Sequence, residues 1–124
     1  MFQNGRALDA LRRYEEIFGG AFTIDELDRY DASAADLEGL VQLAVCTLFG
    51  QRITCVDSPV QHDFDMTPAI SLFVECDDGD EQERLFAALA EDGKVYMPLD
   101  DYGFSRRYGW IEDRYGVPWQ LNLR

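Results

Sequence analysis

Gly109-Trp110-Ile111-Glu112-Asp113-Arg114-Tyr115-Gly116-Val117-Pro118-Trp119-Gln120-Leu121 reads as a β-hairpin. Tyr115-Gly116 supplies a turn whose glycine tolerates a positive φ, and alternation after it sends Trp119, Leu121 and Leu123 to one face. Gln120 and Asn122 go to the other. The expected strands cover residues 108–113 and 117–123. Carried back through the turn by the same parity, alternation places Trp110 on the Trp119 face and Ile111 on the Gln120 face.

Working outward, an earlier hairpin over residues 40–56 turns near Phe49-Gly50. A shift of 66 lays Phe49-Gly50 over Tyr115-Gly116 and Ile53-Thr54 over Trp119-Gln120. Apolar residues at three- and four-residue spacing predict a helix over 6–18, stopped by Gly19-Gly20, and another over 80–91, ended by Gly93. Asp78 with Glu81 resembles a capping box at the start of the second. A shift of 72 lays Tyr14 and Ile17 over Phe86 and Leu89, and Leu27-Asp28-x-Tyr30 over Leu99-Asp100-x-Tyr102. The difference of six is a longer loop, 31–39, in the first half. Strands are expected over 21–30 and 94–99, and over 69–75 before the second helix. Met1-Phe2-Gln3 is the remnant of that opening strand in the first half. The order β-α-β-β-β thus occurs twice, as units of about 1–58 and 68–124 joined by a linker 59–67 within one domain.

Composition excludes several classes of function. At 124 residues and 47% hydrophobic content the chain can bury a core without disulfides or a structural metal. The formal charge of −13 repels a phosphate backbone, and the eleven basic residues are dispersed, so nucleic acid is not an expected partner. Lys94 is the only lysine; the acid excess fits a salt-rich cytoplasm or a plain compositional bias. No apolar run approaches a membrane span, and a cytoplasmic location is expected. Cys46, Cys55 and Cys76 are odd in number and form no CxxC pattern, and are read as buried thiols. Cys46 and Cys55 flank the Phe49-Gly50 turn and are expected to share a sheet face.

The double unit resembles the vicinal oxygen chelate superfamily, which includes glyoxalase I, extradiol dioxygenases and the bleomycin- and fosfomycin-resistance proteins. Thr67-Pro68-Ala69-Ile70-Ser71-Leu72-Phe73-Val74, and still more the 109–121 run, is similar to the PhnB-like branch, whose members often end in G-W-x-x-D-x-Y-G-x-x-W-Q. The resemblance implies an α+β fold of two tandem βαβββ units forming a curved mixed sheet, with helices on the outer face and a substrate cavity on the concave face. It implies that Trp119 lies in the core and Gln120 faces the cavity. Thr54, Ser71, Phe73, Glu75, Ile111 and Gln120 are accordingly the expected ligand-facing residues.

Metalloenzymes of the superfamily hold one divalent ion with His, Glu or Gln side chains from the first and last strands of each unit. The resemblance places those positions on Gln120, Thr54 and Ala69, with the fourth lost in the short amino-terminal strand. This set offers one weak ligand where a catalytic ion needs about three. No metal and no cofactor is therefore expected.

The single histidine, His62, falls in the linker and is read as solvated, and no nucleophile–base pair is assembled from it. Asp63 and Asp65 lack a calcium-loop pattern and are read as linker residues, and Glu75 as a rim or surface acid. Some PhnB-like proteins carry a methyltransferase name, but no nucleoside-cofactor motif is present. Tyr102, Tyr108, Trp110 and Tyr115 form an aromatic patch, with Trp110 assigned to core or interface. The expected function is a metal-independent domain that takes up a small organic molecule. A divalent-metal enzyme with an atypical ligand set and an interaction protein with a filled cavity are the alternatives. A homodimer is expected, because the stunted first strand leaves a sheet edge uncovered.

Overall fold

The computed structural model describes all residues 1–124, which divide into two compact units, Met1–Asp65 and Met66–Arg124. The first unit contains helix α1 (Ala7–Phe18) and strands β1 (Phe22–Arg29), β2 (Val41–Leu48) and β3 (Gln51–Cys55). The second contains β4 (Leu72–Glu75), helix α2 (Gly79–Ala90), β5 (Lys94–Asp100), β6 (Arg107–Glu112) and β7 (Pro118–Leu123).

In the second unit the strand order is β4-β7-β6-β5, with β4 parallel to β7 and the other pairs antiparallel. The first unit repeats this order, β1-β2-β3, but its opening strand shrinks to one residue: Phe2 forms a parallel bridge with Asp57. Phe2 N–H donates to Val56 O at 2.8 Å, and Phe2 O accepts from Ser58 N–H at 2.8 Å. Residues 31–39, read as a longer loop, contain a 3-10 segment, Ala32–Leu37, whose entry is capped by the Asp31 carboxylate accepting from Ser33 N–H.

Each helix buries one stripe against its own sheet. In the first unit Ala10, Leu11, Tyr14, Ile17 and Phe18 are buried, and Tyr14 meets Phe22 of β1 edge to face at 5.7 Å. The start of α1 has no cap from a neighbouring side chain; Asp57, fifty residues away, supplies it. One carboxylate oxygen accepts from Ala7 N–H and the other from Val41 N–H, both at 2.9 Å, so one buried acid ties the helix to β2. In the second unit Asp78 accepts from Glu81 N–H at 2.8 Å, and Glu81 reaches back to Asp77 N–H at 2.7 Å. The expected capping box forms, shifted by one residue on its return arm.

The turn at Phe49-Gly50 has both central residues at positive φ, 47° and 80°, and closes Leu48 onto Gln51. The second hairpin differs. Glu112 pairs with Pro118, leaving a five-residue connection, 113–117. An odd connection sets residues of like parity opposite one another: Ile111 faces Trp119 across the ladder, and Trp110 faces Gln120. This reverses the sequence expectation for both residues, because a one-residue change in register moves every side chain of a strand to the other face. Ile111, fully buried, shares the helix side with Trp119 and Leu121. Gly109, on the same face two residues earlier, points at Phe86 of α2. Trp110 lies on the opposite side.

Candidate functional site

The helix-free face of the second unit collects most of the expected ligand-facing residues. Across β4, β7 and β6, Phe73, Gln120 and Trp110 form one row, and Glu75, Asn122 and Tyr108 form the next. The strand expected over 69–75 begins only at Leu72, so Ser71 lies just before it; its hydroxyl nevertheless reaches this face, accepting from Trp110 Nε1 at 3.2 Å. Ile111 is excluded by the register just described. Thr54 belongs to the first unit, where it is exposed and opposite Val45.

Polar groups on this face are mutually ordered. Tyr108 donates its hydroxyl to Gln120 Oε1 at 2.8 Å, which fixes that amide with its nitrogen as the remaining polar atom. Tyr96 donates to Glu112 at 2.9 Å and packs its ring 5.2 Å from Trp110. Burial raises the Tyr108 phenol above its ordinary pKa, aided by neighbouring Tyr102, and burial followed by the Glu112 hydrogen bond raises Tyr96. Both hydroxyls therefore stay protonated donors at neutral pH. Tyr102 and Phe104 meet the Tyr108 ring edge-on, and Phe73 and Phe104 remain more than half exposed. Asn122 donates to Glu75 at 2.9 Å, while its Oδ1, closed off from solvent, has no hydrogen-bond partner.

The G-W-x-x-D-x-Y-G-x-x-W-Q run has a structural explanation at nearly every position. Asp113, buried, accepts from Tyr115 N–H at 2.9 Å, Val117 N–H at 3.0 Å and the Trp119 indole at 2.9 Å. Gly116 turns at φ 86°, and Gly109 leaves room for Phe86. Trp110 and Gln120 alone among these residues face the candidate site.

The residues at the superfamily's metal positions do not fit a catalytic divalent ion. The Gln120 oxygen is occupied by the Tyr108 hydroxyl, Thr54 is a neutral hydroxyl, and Ala69 lies in the turn before β4. Gln3, beside the short amino-terminal bridge, is buried and engaged, donating to Phe64 O at 2.8 Å and accepting from His62 N–H at 2.7 Å. No group of three or more His, Cys, Asp or Glu side chains is placed to hold a metal ion.

His62 is not simply solvated. Its Nε2 lies 2.9 Å from Ser58 Oγ and its ring stacks on Phe64 at 4.8 Å. Ser58 is buried and its hydroxyl is also 2.7 Å from Val60 O, a bond that locks the 58–62 loop and competes with the imidazole for its one proton. Cys46 and Cys55 do share the helix-facing side of β2 and β3, diagonally across the ladder. Burial pushes the Cys46 thiol up to about 12 and raises Cys55 as well; Cys76 is likewise pushed up to about 12. None is activated as a nucleophile.

Residues 1–122 match the family model described as 3-demethylubiquinone-9 3-methyltransferase. The chain belongs to this family, the PhnB-like branch of the vicinal oxygen chelate superfamily. It is 42% identical to a putative 3-demethylubiquinone-9 3-methyltransferase, PhnB protein, from Bacillus cereus, with a TM-score of 0.91 over 99% of this chain and 95% of that one. A 53-residue stretch is 30% identical to Protein YjdN of Escherichia coli K12, covering 43% of this chain and 36% of that protein's length. The α+β fold is that of the glyoxalase and bleomycin-resistance proteins. A glyoxylase/bleomycin resistance protein/dioxygenase domain from Frankia sp. EAN1pec superposes at a TM-score of 0.59 with 16% identity, over 90% of this chain and 78% of that one. No helix is long and apolar enough to cross a membrane.

Proposed function

We propose that this PhnB-like protein binds a small organic molecule on the helix-free face of the Met66–Arg124 sheet, without a catalytic metal. One observation carries this reading: exposed aromatic surface at Phe73 stands in one row with Gln120 and next to the row of Glu75 and Asn122, whose polar groups are ordered. Apolar area with a few fixed hydrogen-bonding groups is the composition of a ligand site. The test is a thermal-shift screen of small aromatic and polar compounds, with and without chelator, read beside metal analysis of the purified protein. Compounds that raise the midpoint in wild type and lose that effect in Gln120→Ala are expected, with the midpoint unmoved by chelator. Stoichiometric zinc, nickel, iron or manganese lost together with Gln120 would overturn the metal-free reading.

Methyl transfer to a quinone ring is the second reading, favoured by the names of the family and of the Bacillus cereus protein. A methylated quinone formed from S-adenosylmethionine by wild type but not by Gln120→Ala would establish it.

We also propose a cytoplasmic homodimer. The one-residue opening strand at Phe2 supports the dimer, since it leaves little backbone pairing at that edge of the first unit. Light scattering is expected to give about twice the 14.2 kDa chain mass; the single-chain mass at micromolar concentration would reject it.

A further inference from the structure

Glu75 and Asn122 form an acceptor pair whose chemistry is one-sided. Asn122 is 5% exposed, its Nδ2 donates to Glu75 Oε2 at 2.9 Å, and its Oδ1 accepts from nothing. A buried amide oxygen without a donor is costly and rare in folded proteins. Glu75 Oε1 is already visited by a cation, Arg124 Nε at 3.3 Å, but the Arg124 side chain is 86% exposed and so weakly held. Tyr108 sits beside Asn122 in the same row, and Phe73 lies one pleat away on the same strand as Glu75. The position therefore offers a carboxylate, an amide oxygen in want of a donor, and aromatic surface. Every element of it favours a positively charged donor over an anion.

We infer that the ligand of this site is an organic cation, an ammonium or guanidinium carried on an apolar or aromatic body. Its charged head replaces Arg124 on Glu75, and the side-chain shift that admits it opens Asn122 Oδ1 to the donor that this oxygen lacks. This rests on the reading that the helix-free face binds small molecules, and adds the ligand's chemical class. The chain's net charge of −13 acts in the same direction, raising the local concentration of cations.

Three probes of matched size decide it: phenethylammonium, phenethyl alcohol and 3-phenylpropionate, titrated by calorimetry at low salt. The ammonium is expected to bind about tenfold more tightly than the alcohol, with the carboxylate weakest. Glu75→Gln, at an exposed position, should fold normally and bring the affinity for the ammonium down to about that for the alcohol. Arg124→Ala should tighten the ammonium by removing its competitor. Equal binding of ammonium and alcohol, or a preference for the carboxylate, overturns the cation inference while leaving the binding face intact. Absence of binding by all three also overturns it, and the broader thermal-shift screen then shows separately whether the binding face itself fails.

Discussion

Asp113→Ala is expected to lower the unfolding free energy by roughly 3–5 kcal/mol, a large part of the ~5–15 kcal/mol by which a domain of this size is stable. The carboxylate is buried and takes three N–H donors at once, from Tyr115, Val117 and the Trp119 indole. Alanine leaves those donors without their acceptor and releases the backbone of the 113–117 connection. Asp113→Asn keeps one acceptor oxygen but presents an N–H2 group to donors already in place, so it should cost about half as much. Urea unfolding monitored by tryptophan fluorescence measures both. A loss for the alanine variant below about 1 kcal/mol would show that the turn holds its shape without the carboxylate. The consequence for function is direct. The five-residue connection keeps Trp110, and not Ile111, on the candidate face, so the alanine variant should also bind the ammonium probe less well.

Gly93→Ala is expected to be about as damaging, roughly 3 kcal/mol or more, for a different reason. A Cβ built on Gly93 would stand 2.1 Å from Glu112 O and 3.1 Å from the Asp113 backbone. Main chain pinned by the β6–β7 ladder cannot rotate away as a side chain can. Gly109→Ala is the informative comparison. Its Cβ would meet Phe86 Cε2 at 2.6 Å and Leu99 Cδ2 at 2.8 Å, both side-chain ends able to shift, so a cost of about 1–2 kcal/mol is expected. Equal losses in the two variants would mean that the Glu112–Asp113 corner yields as readily as a core side chain. If Gly93→Ala yields no soluble protein, recovery of folded Gly109→Ala still distinguishes the two environments.

Both helices, the repeated unit and the core role of Trp119 were legible in the sequence because each follows from local periodicity and turn chemistry. Leu85 and Leu89 at helical spacing, Asp78 with Glu81, and glycines after each helix act within a few residues of where they stand. Placing Gln120 and Asn122 together opposite Trp119 needed only the two-residue period of a strand. The same reasoning failed at Trp110 and Ile111, because parity survives a strand but not a turn of unknown length. Residue type marked a turn at Tyr115-Gly116; the Asp113 hydrogen bonds fixed how many residues it takes. Asp57 shows the same limit over a longer range, since nothing near it in sequence indicates a cap for a helix fifty residues earlier. Glu75 and Asn122 stand forty-seven residues apart in the chain, and only the parallel pairing of β4 with β7 sets them side by side. The sequence by itself determined the elements and the face each β7 residue presents, because those depend on steric and hydrophobic effects between near neighbours. Only the tertiary structure decided which charges and amides meet and which lack a partner, because pairing across strands is set by register, and register by the geometry of turns.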